Sequence, residues 1–217
     1  AVRLIHFPQS RADGETARKR LTFDELLLLQ LGLSRLRSGG KTPTGAVVKA
    51  GLAEKAKSLF PFALTGAQSR AVDDCLADMQ SGFAMTRLLQ GDVGSGKTAI
   101  AALALAKTAA SGYQGAIMAP TEILAQQHYE TLQQYLTPYG IRGGLLTGGM
   151  RKKTRQDLLL NLQLGLIDVL VGTHALIQED VVFNKLSLAV TDEQHRFGVK
   201  QRLAFSDKGK LLENENP

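Results

Sequence analysis

One stretch of eight residues combines three glycines, a lysine and a threonine in a spacing suited to holding phosphate groups. Residues 91–98 match the pattern G-x-x-x-x-G-K-[ST] at every fixed position. Glycines let backbone N–H groups turn inward around an anion, Lys97 adds a positive charge, and Thr98 is placed to bind Mg²⁺. The stretch predicts a nucleoside triphosphate site, and the alternative is a glycine-rich turn without a ligand. The predicted nucleotide-binding residues are Gly91, Asp92, Val93, Gly94, Ser95, Gly96, Lys97 and Thr98.

A second stretch places two adjacent carboxylates directly after an apolar run. Residues 186–191 predict a buried strand, and Asp192 and Glu193 follow it. Ligands of open α/β sheets bind at the carboxyl ends of the strands. There Asp192 can hold Mg²⁺ through water, while Glu193 can polarise the attacking water. Acids often end strands, so the pair is weak alone, but together with a complete phosphate loop it predicts nucleotide hydrolysis.

The elements that must position these residues alternate between strand and helix. A buried strand at 85–90 is predicted before the phosphate loop and an Ala-rich helix at 98–110 after it. Alternation with short links predicts an α/β fold with a parallel, doubly wound sheet. Helices are also predicted at 52–60 and 64–79 ahead of the loop. The remaining predicted elements are strands 115–119, 143–147, 168–172 and 186–191 and helices 122–136 and 153–164.

The first forty residues predict a separate linker segment. The capping-box pattern at 22–25 favours a helix over 22–37, preceded by a strand end at 2–7 and a loop at 9–20. The leucines of this helix cover more than one stripe, which predicts burial against two partners. A Gly- and Pro-containing connector at 38–43 suggests a boundary between a linker, 1–40, and a second domain, 41–217.

Composition narrows the class of protein. The chain has 217 residues, is 44% hydrophobic and carries one cysteine, Cys75, so it can bury one sizeable core and form no internal disulfide. No stretch approaches the roughly 20 apolar residues of a membrane span, so we expect a cytoplasmic protein. Residues 1–49 hold nine Lys or Arg against four Asp or Glu, and the remainder hold 17 against 16. The basic excess near the start suggests either a solvated helix face or contact with nucleic acid.

Four strings together resemble motifs I, Ia, Ib and II of superfamily 2 helicases. They are GDVGSGKT at 91–98, APTE at 119–122, GTH at 172–174 and DEQH at 192–195. The longer strings LLQGDVGSGKT, APTEILAQQH, GTHALI and DEQHRFGV are similar to the RecG family of bacterial branched-DNA helicases. The resemblance covers about residues 60–205, and residues 4–37 also resemble that family's linker.

The resemblance implies the first RecA-like motor domain of an ATP-dependent DNA helicase or translocase, preceded by a linker helix. It implies ATP and Mg²⁺ as cofactors and branched or forked DNA as partner, with one strand tracked, in the repair and recombination of bacterial DNA. Motif III, the second motor domain and an N-terminal DNA-reading domain would lie elsewhere in a longer, monomeric protein. We therefore expect the fragment to lack a central strand and to be inactive alone. Alternatives are the motor of a transcription-repair coupling factor, a nucleotide-binding module without hydrolysis and, more distantly, a small-molecule kinase.

The resemblance also implies roles for single residues. Gln68 is in the place of a glutamine that recognises adenine in that family. The alternative is an ordinary glutamine on a helix surface. Lys97, Glu193 and His195 would be catalytic. His195 would couple hydrolysis to motion, and its alternative role is a structural hydrogen bond. His128, on the apolar face of its helix, is interpreted as a core histidine, and Cys75 as a buried apolar residue.

Motifs Ia and Ib and the stretch after motif II are the predicted contacts with DNA. Basic residues interleaved with an aromatic suit single-strand binding by phosphate pairing and base stacking. The alternatives are a turn-capping role for motif Ib and a packed loop with a buried phenylalanine after motif II. The predicted DNA-binding residues are Thr121, Thr173, His174, Arg196, Phe197 and Arg202.

Overall fold

A computed structural model describes residues 1–37, 43–44, 46–48 and 59–208, without the side chains of residues 36, 37, 202, 206 and 207. The helix predicted at 52–60 lies almost wholly outside these ranges. The chain divides into two compact units, Ala1–Thr42 and Pro43–Pro217. Within the described ranges, no helix combines the length and the apolar character that crossing a membrane requires.

The first unit is helical throughout its regular structure. Helix α1 spans Val2–His6 and helix α2 spans Arg11–Arg37, so the predicted strand at 2–7 and loop at 9–20 are wrong. The helix predicted at 22–37 begins earlier because Ser10 already caps it. The Ser10 hydroxyl accepts the Asp13 N–H at 3.2 Å. The same pattern at 22–25 therefore lies in the interior of the helix.

Six of the leucines of α2 that were predicted to be buried are exposed among the described residues. Leu28 is 71% exposed, and the other five are 39–58% exposed. The helix is 27 residues long, and exposed ion pairs of Arg11 with Glu15 and of Arg20 with Asp24, each one turn apart, support it. The exposed leucines are Leu26, Leu27, Leu28, Leu29, Leu31 and Leu33.

The second unit is built on a parallel sheet of four strands in the order β2-β3-β1-β4. Each crossover between strands contains a helix or a longer connection, as parallel pairing requires. The predicted parallel α/β fold is thus confirmed. The strands are β1 Gln114–Met118, β2 Gly143–Leu146, β3 Val169–Gly172 and β4 Leu186–Thr191, and the helices are α3 Gly66–Gln80, α4 Lys97–Ala110, α5 Glu122–Leu136, α6 Lys152–Gln163 and α7 Val199–Asp207.

Helices cover both faces of the sheet, which gives three layers. Alternate side chains of β1 enter different cores, with Ile117 in one and Ala116 and Met118 in the other. The first core contains side chains of α3, α4 and α5, and the second contains side chains of α6 and α7. The strands therefore consist almost entirely of apolar residues, as expected for a sheet buried on both faces.

The segment before the phosphate loop is not a strand, and this prediction is wrong. Residues 84–92 have no regular secondary structure, and Arg87, Leu88 and Gln90 are exposed. A strand is stabilised by hydrogen bonds to a neighbour, and β4 pairs only with β1 among the described strands. The apolar composition of the segment does not replace a missing neighbouring strand.

A buried glutamine joins the loops at the amino end of the sheet. Gln114 is 5% exposed, and its amide makes four hydrogen bonds to the backbone. Its Nε2 donates to the carbonyls of Leu162 and Ile167 at 2.9 and 2.7 Å. Its Oε1 accepts the N–H groups of Asn184 and Lys185 at 2.7 and 3.0 Å. Every polar position of this side chain is satisfied, so it fixes the entry of three strands.

An ion pair closes the same end between β2 and β3. Arg142 donates through Nη2 to Oδ1 of Asp168 at 2.9 Å and through Nε to Oδ2 at 3.0 Å. Burial opposes ionisation of Asp168, but the hydrogen bonds and charge of Arg142 outweigh it and hold the pKa of Asp168 below its ordinary value. The amino end of the sheet is thus occupied by structural contacts.

Replacing Gln114 by Leu is expected to destabilise the sheet strongly. The change removes the side-chain partner of two carbonyls and two N–H groups, of which the Leu162 carbonyl still accepts the N–H of Gly165 at 3.0 Å. A buried group left without a partner costs about 1–3 kcal/mol. We expect the free energy of opening β1 to fall by at least about 3 kcal/mol, or roughly a hundredfold faster exchange of its amides. Hydrogen exchange of the intact protein measures this. Gln126→Leu, on the exposed surface of α5, is the control, and unchanged exchange in Gln114→Leu would contradict the role.

Candidate functional site

The phosphate loop has a backbone that only glycine adopts easily at its centre. Gly94 and Gly96 have φ of +78° and +83°. A Cβ on Gly96 would collide with Nε2 of Gln68. Glycine is therefore favoured at both positions by the backbone, and at Gly96 also by the close approach of Gln68.

The loop leads into a helix start that is open to an anion. Helix α4 begins at Lys97, and no side chain of the described residues caps it at Gly96. The first N–H groups of the helix and its positive dipole end are thus available to phosphate. The Lys97 Nζ donates to the carbonyls of Gly91 and Asp92 at 2.8 and 2.7 Å, which places its charge inside the loop. These residues fit a nucleotide phosphate group.

Gln68 connects the phosphate loop to the preceding helix. Its Oε1 accepts the N–H of Thr65 at 2.8 Å as part of a capping box at the start of α3. Its Nε2 donates to the carbonyl of Ser95 at 2.8 Å. One lone pair and one N–H of the amide remain for a ligand, so recognition of adenine stays a prediction. The structure adds a role in supporting the loop.

Parallel pairing brings the other motif residues to one edge of the sheet. The end of β1 lies between the ends of β3 and β4, with Met118 opposite both Gly172 and Thr191. The N–H of Ala119 donates to the carbonyl of Gly172 at 2.8 Å, and that of Asp192 donates to the carbonyl of Met118 at 2.9 Å. Motifs Ia, Ib and II therefore begin side by side.

Asp192 is held by a histidine from α5. The Nε2 of His128 lies 2.8 Å from Oδ2 of Asp192. This hydrogen bond is the main cause that holds the pKa of Asp192 below its ordinary value, while burial opposes it and the charge of Lys97 adds to it. Asp192 is thus ionised at neutral pH, and the phosphate loop and motif II lie within electrostatic range of each other.

The sequence interpretation of His128 as a core histidine missed this contact. The two residues are 64 positions apart, and no spacing in the sequence joins them. Helical periodicity placed His128 on the buried side of α5, which is correct, since it is partly buried. Only the packing of α5 on the sheet shows that an acid of the site is on that side.

Glu193 has a strained backbone and an exposed partner. It is the only described non-glycine residue with positive φ, at +46°, a conformation that costs roughly 1 kcal/mol or more. Its Oε2 accepts from Nε of Arg196 at 2.9 Å, and both side chains are exposed. Exposed pairs of this kind contribute about 0–1 kcal/mol, so another anion can displace the carboxylate from Arg196.

The metal site predicted at Thr98 and Asp192 offers few protein ligands. The described residues contain no group of three or more His, Cys, Asp or Glu side chains placed to hold a metal ion. Mg²⁺ is usually bound by one or two carboxylates together with phosphates and water, so one aspartate beside a phosphate loop fits it.

Some of the predicted DNA-binding residues are exposed in the structure and others are buried. Thr121 and His174 are exposed at the carboxyl edge, as is Arg196, whereas Phe197 and Thr173 are buried. Phe197 packs in the second core, so the prediction that its ring stacks on a base is wrong for this structure. The Thr173 hydroxyl has no hydrogen-bond partner among the described residues, but it is also shielded from DNA. The side chain of Arg202 lies outside the described part, and His195 is exposed.

Comparison with known proteins identifies relatives over nearly the whole chain. It is 48% identical over 213 residues to the ATP-dependent DNA helicase RecG of Bacillus subtilis and 44% identical over 212 residues to that of Streptococcus pneumoniae. Each match covers 96% of this chain and 31% of the relative, so the chain spans about a third of the length of these proteins.

A solved structure is similar to this chain in both fold and sequence. The structure of RecG bound to a three-way DNA junction matches with a TM-score of 0.77 and 43% identity, over 90% of this chain and 27% of that one. The resemblance to RecG that the motifs predict is thus confirmed. The family model of DEAD/DEAH box helicases matches residues 65–214, and the chain belongs to this family.

Proposed function

We propose that this chain is the first motor domain of an ATP-dependent DNA helicase or translocase that acts on branched DNA. The strongest support is the similarity to RecG at 44–48% identity, including a relative bound to a three-way DNA junction. Because the chain spans about a third of these relatives, the activity is that of the whole protein. On the same resemblance, the whole protein acts as a monomer at replication forks and recombination intermediates in the bacterial cytoplasm.

The observations that support an ATPase site are geometric. Lys97 lies inside the phosphate loop at the uncapped start of α4, and the carboxylate of Asp192 is held at the carboxyl edge of the sheet, almost a hundred residues further along the chain. Lys97 and the N–H groups at the start of α4 bind the phosphates, and Glu193 accepts a proton from the attacking water. Thr98 and Asp192 hold Mg²⁺, which when bound neutralises phosphate charge. Gln68 positions the loop and contacts adenine, and His195 couples the site to motion.

The DNA interface that we propose is the exposed part of the carboxyl edge. Thr121 already caps α5 by accepting the N–H of Leu124 at 3.2 Å, so it lies at a helix start that suits phosphate. His174 and Arg196 are exposed nearby, and Arg202 follows on α7. Arg196 has two alternative partners in this proposal, the carboxylate of Glu193 and a DNA phosphate. DNA binding then releases Glu193 for hydrolysis.

Lys97→Ala is expected to abolish nucleotide binding or turnover in the intact protein. The change removes a charge and its hydrogen bonds from the phosphates together, so we expect ATP hydrolysis to fall at least about a hundredfold. Steady-state ATPase rates and binding of a fluorescent ADP analogue measure this. Lys152→Ala, at the exposed start of α6, is the matched control. Equal rates in Lys97→Ala and wild type would remove the loop from the mechanism.

Glu193→Gln is expected to separate binding from hydrolysis. Lys97 and Asp192 still bind Mg-ATP, but the water loses its proton acceptor, so the rate falls by about 10²–10⁴ with nucleotide affinity within about twofold. Single-turnover hydrolysis and nucleotide binding test this, with the exposed Glu179→Gln as control. Normal turnover by Glu193→Gln would be fatal to the assigned role.

Arg196→Ala is expected to lower DNA-stimulated ATPase while basal ATPase does not fall. The variant loses a phosphate contact but also frees Glu193 from its ion pair. One lost contact reduces the slope of log affinity against log salt by about 0.7–0.9. ATPase with and without forked DNA, and DNA binding over a salt series, measure both effects. Arg151→Ala, exposed beside α6, is the control, and an equal fall in both rates would show a structural role instead.

A further inference from the structure

We propose that His128 is a positioning residue of the ATPase site, which orients the carboxylate of Asp192 for Mg²⁺ from the neighbouring helix α5. The inference rests on the proposed function, because it assumes that Asp192 binds the metal. It assigns a role to a residue outside motifs I and II.

The contact between the two side chains is short and partly shielded. Nε2 of His128 lies 2.8 Å from Oδ2 of Asp192, and the side chains are only 17% and 34% exposed. A hydrogen bond to an ionised group in such a place is about twice as strong as one between neutral groups. The ring is thus an effective constraint on the carboxylate rather than a transient surface contact.

The carboxylate of Asp192 is fixed on both of its oxygens. Oδ2 contacts His128, and Oδ1 accepts the N–H of Glu193 at 3.0 Å. The backbone N–H of Asp192 is held by the carbonyl of Met118 at 2.9 Å. Each carboxylate oxygen has a further lone pair, so these contacts orient the group without using up its capacity to bind a cation. A ligand oriented in advance binds metal more tightly than a free one.

The helix that carries His128 is rigidly placed. Ala125 and Leu132, on either side of it along α5, are 0% and 2% exposed in the first core. The start of the helix is capped by Thr121. The position of the ring is therefore set by packing, and it does not depend on a bound metal.

The test compares His128 variants in the intact protein. His128→Leu introduces an apolar side chain of moderate size and removes the N–H donor. His128→Gln keeps a donor. Gln126→Ala on the exposed side of α5 is the control, because it loses a single hydrogen bond to Glu130. Mn²⁺ binding to the ADP complex is measured by electron paramagnetic resonance, and ATPase is measured over a Mg²⁺ series.

We expect His128→Leu to weaken Mn²⁺ binding and to raise the half-saturating Mg²⁺ concentration by about tenfold or more, as loss of an outer hydrogen bond to a metal ligand does. The rate at saturating Mg²⁺ should stay within about twofold of wild type. His128→Gln should recover part of the metal affinity, and Gln126→Ala should match wild type. If His128→Leu does not fold, His128→Ala is measured in the same way.

Two results would overturn the inference. One is unchanged Mn²⁺ affinity in the folded donor-free variant, which would make the contact structural. The other is a loss of rate that saturating Mg²⁺ does not restore. Failure of the proposed function is distinguishable, because wild type would then show no ATP turnover sensitive to Lys97→Ala. Wild-type turnover together with unchanged metal affinity in the His128 variant refutes this inference alone.

Discussion

The parallel pairing of β1 with both β3 and β4 is the constraint on which the site depends. All strands of a parallel sheet end at one edge, so the residues after β1, β3 and β4 begin as neighbours. Backbone hydrogen bonds at Ala119 and Asp192 continue this pairing one residue beyond the strands. Motifs that begin up to 73 residues apart in the sequence therefore share one small surface.

The two ends of the sheet are used differently. At the amino end, Gln114 uses all its hydrogen-bonding positions on loop backbone, and Arg142 pairs with Asp168. At the carboxyl end, polar side chains keep free capacity, as Asp192 and Gln68 do. Rigid closure of one end leaves the other end available for a ligand without loss of order.

Long-range hydrogen bonds between side chain and loop hold the candidate site together. Gln68 reaches the carbonyl of Ser95 from α3, and His128 reaches Asp192 from α5. Each contact supports a residue whose own position in the chain would leave it on a flexible connection. Arg196 and Glu193 differ, because their contact is local and exposed and thus easily exchanged for another anion.

The sequence by itself determined the nature of the site and the class of fold. The loop at 91–98, the acids after 186–191 and the alternation of elements predicted α5 and β4 at their observed bounds, because local periodicity and capping decide such elements. Tertiary structure decided the rest. Residues 85–90 are apolar but form no strand without a neighbour, and Phe197 looks suited to stacking but is buried. The sequence also did not predict the hydrogen-bond partner of His128. Hydrogen bonds between distant segments depend on how helices pack on the sheet, and they leave no periodic pattern in the chain.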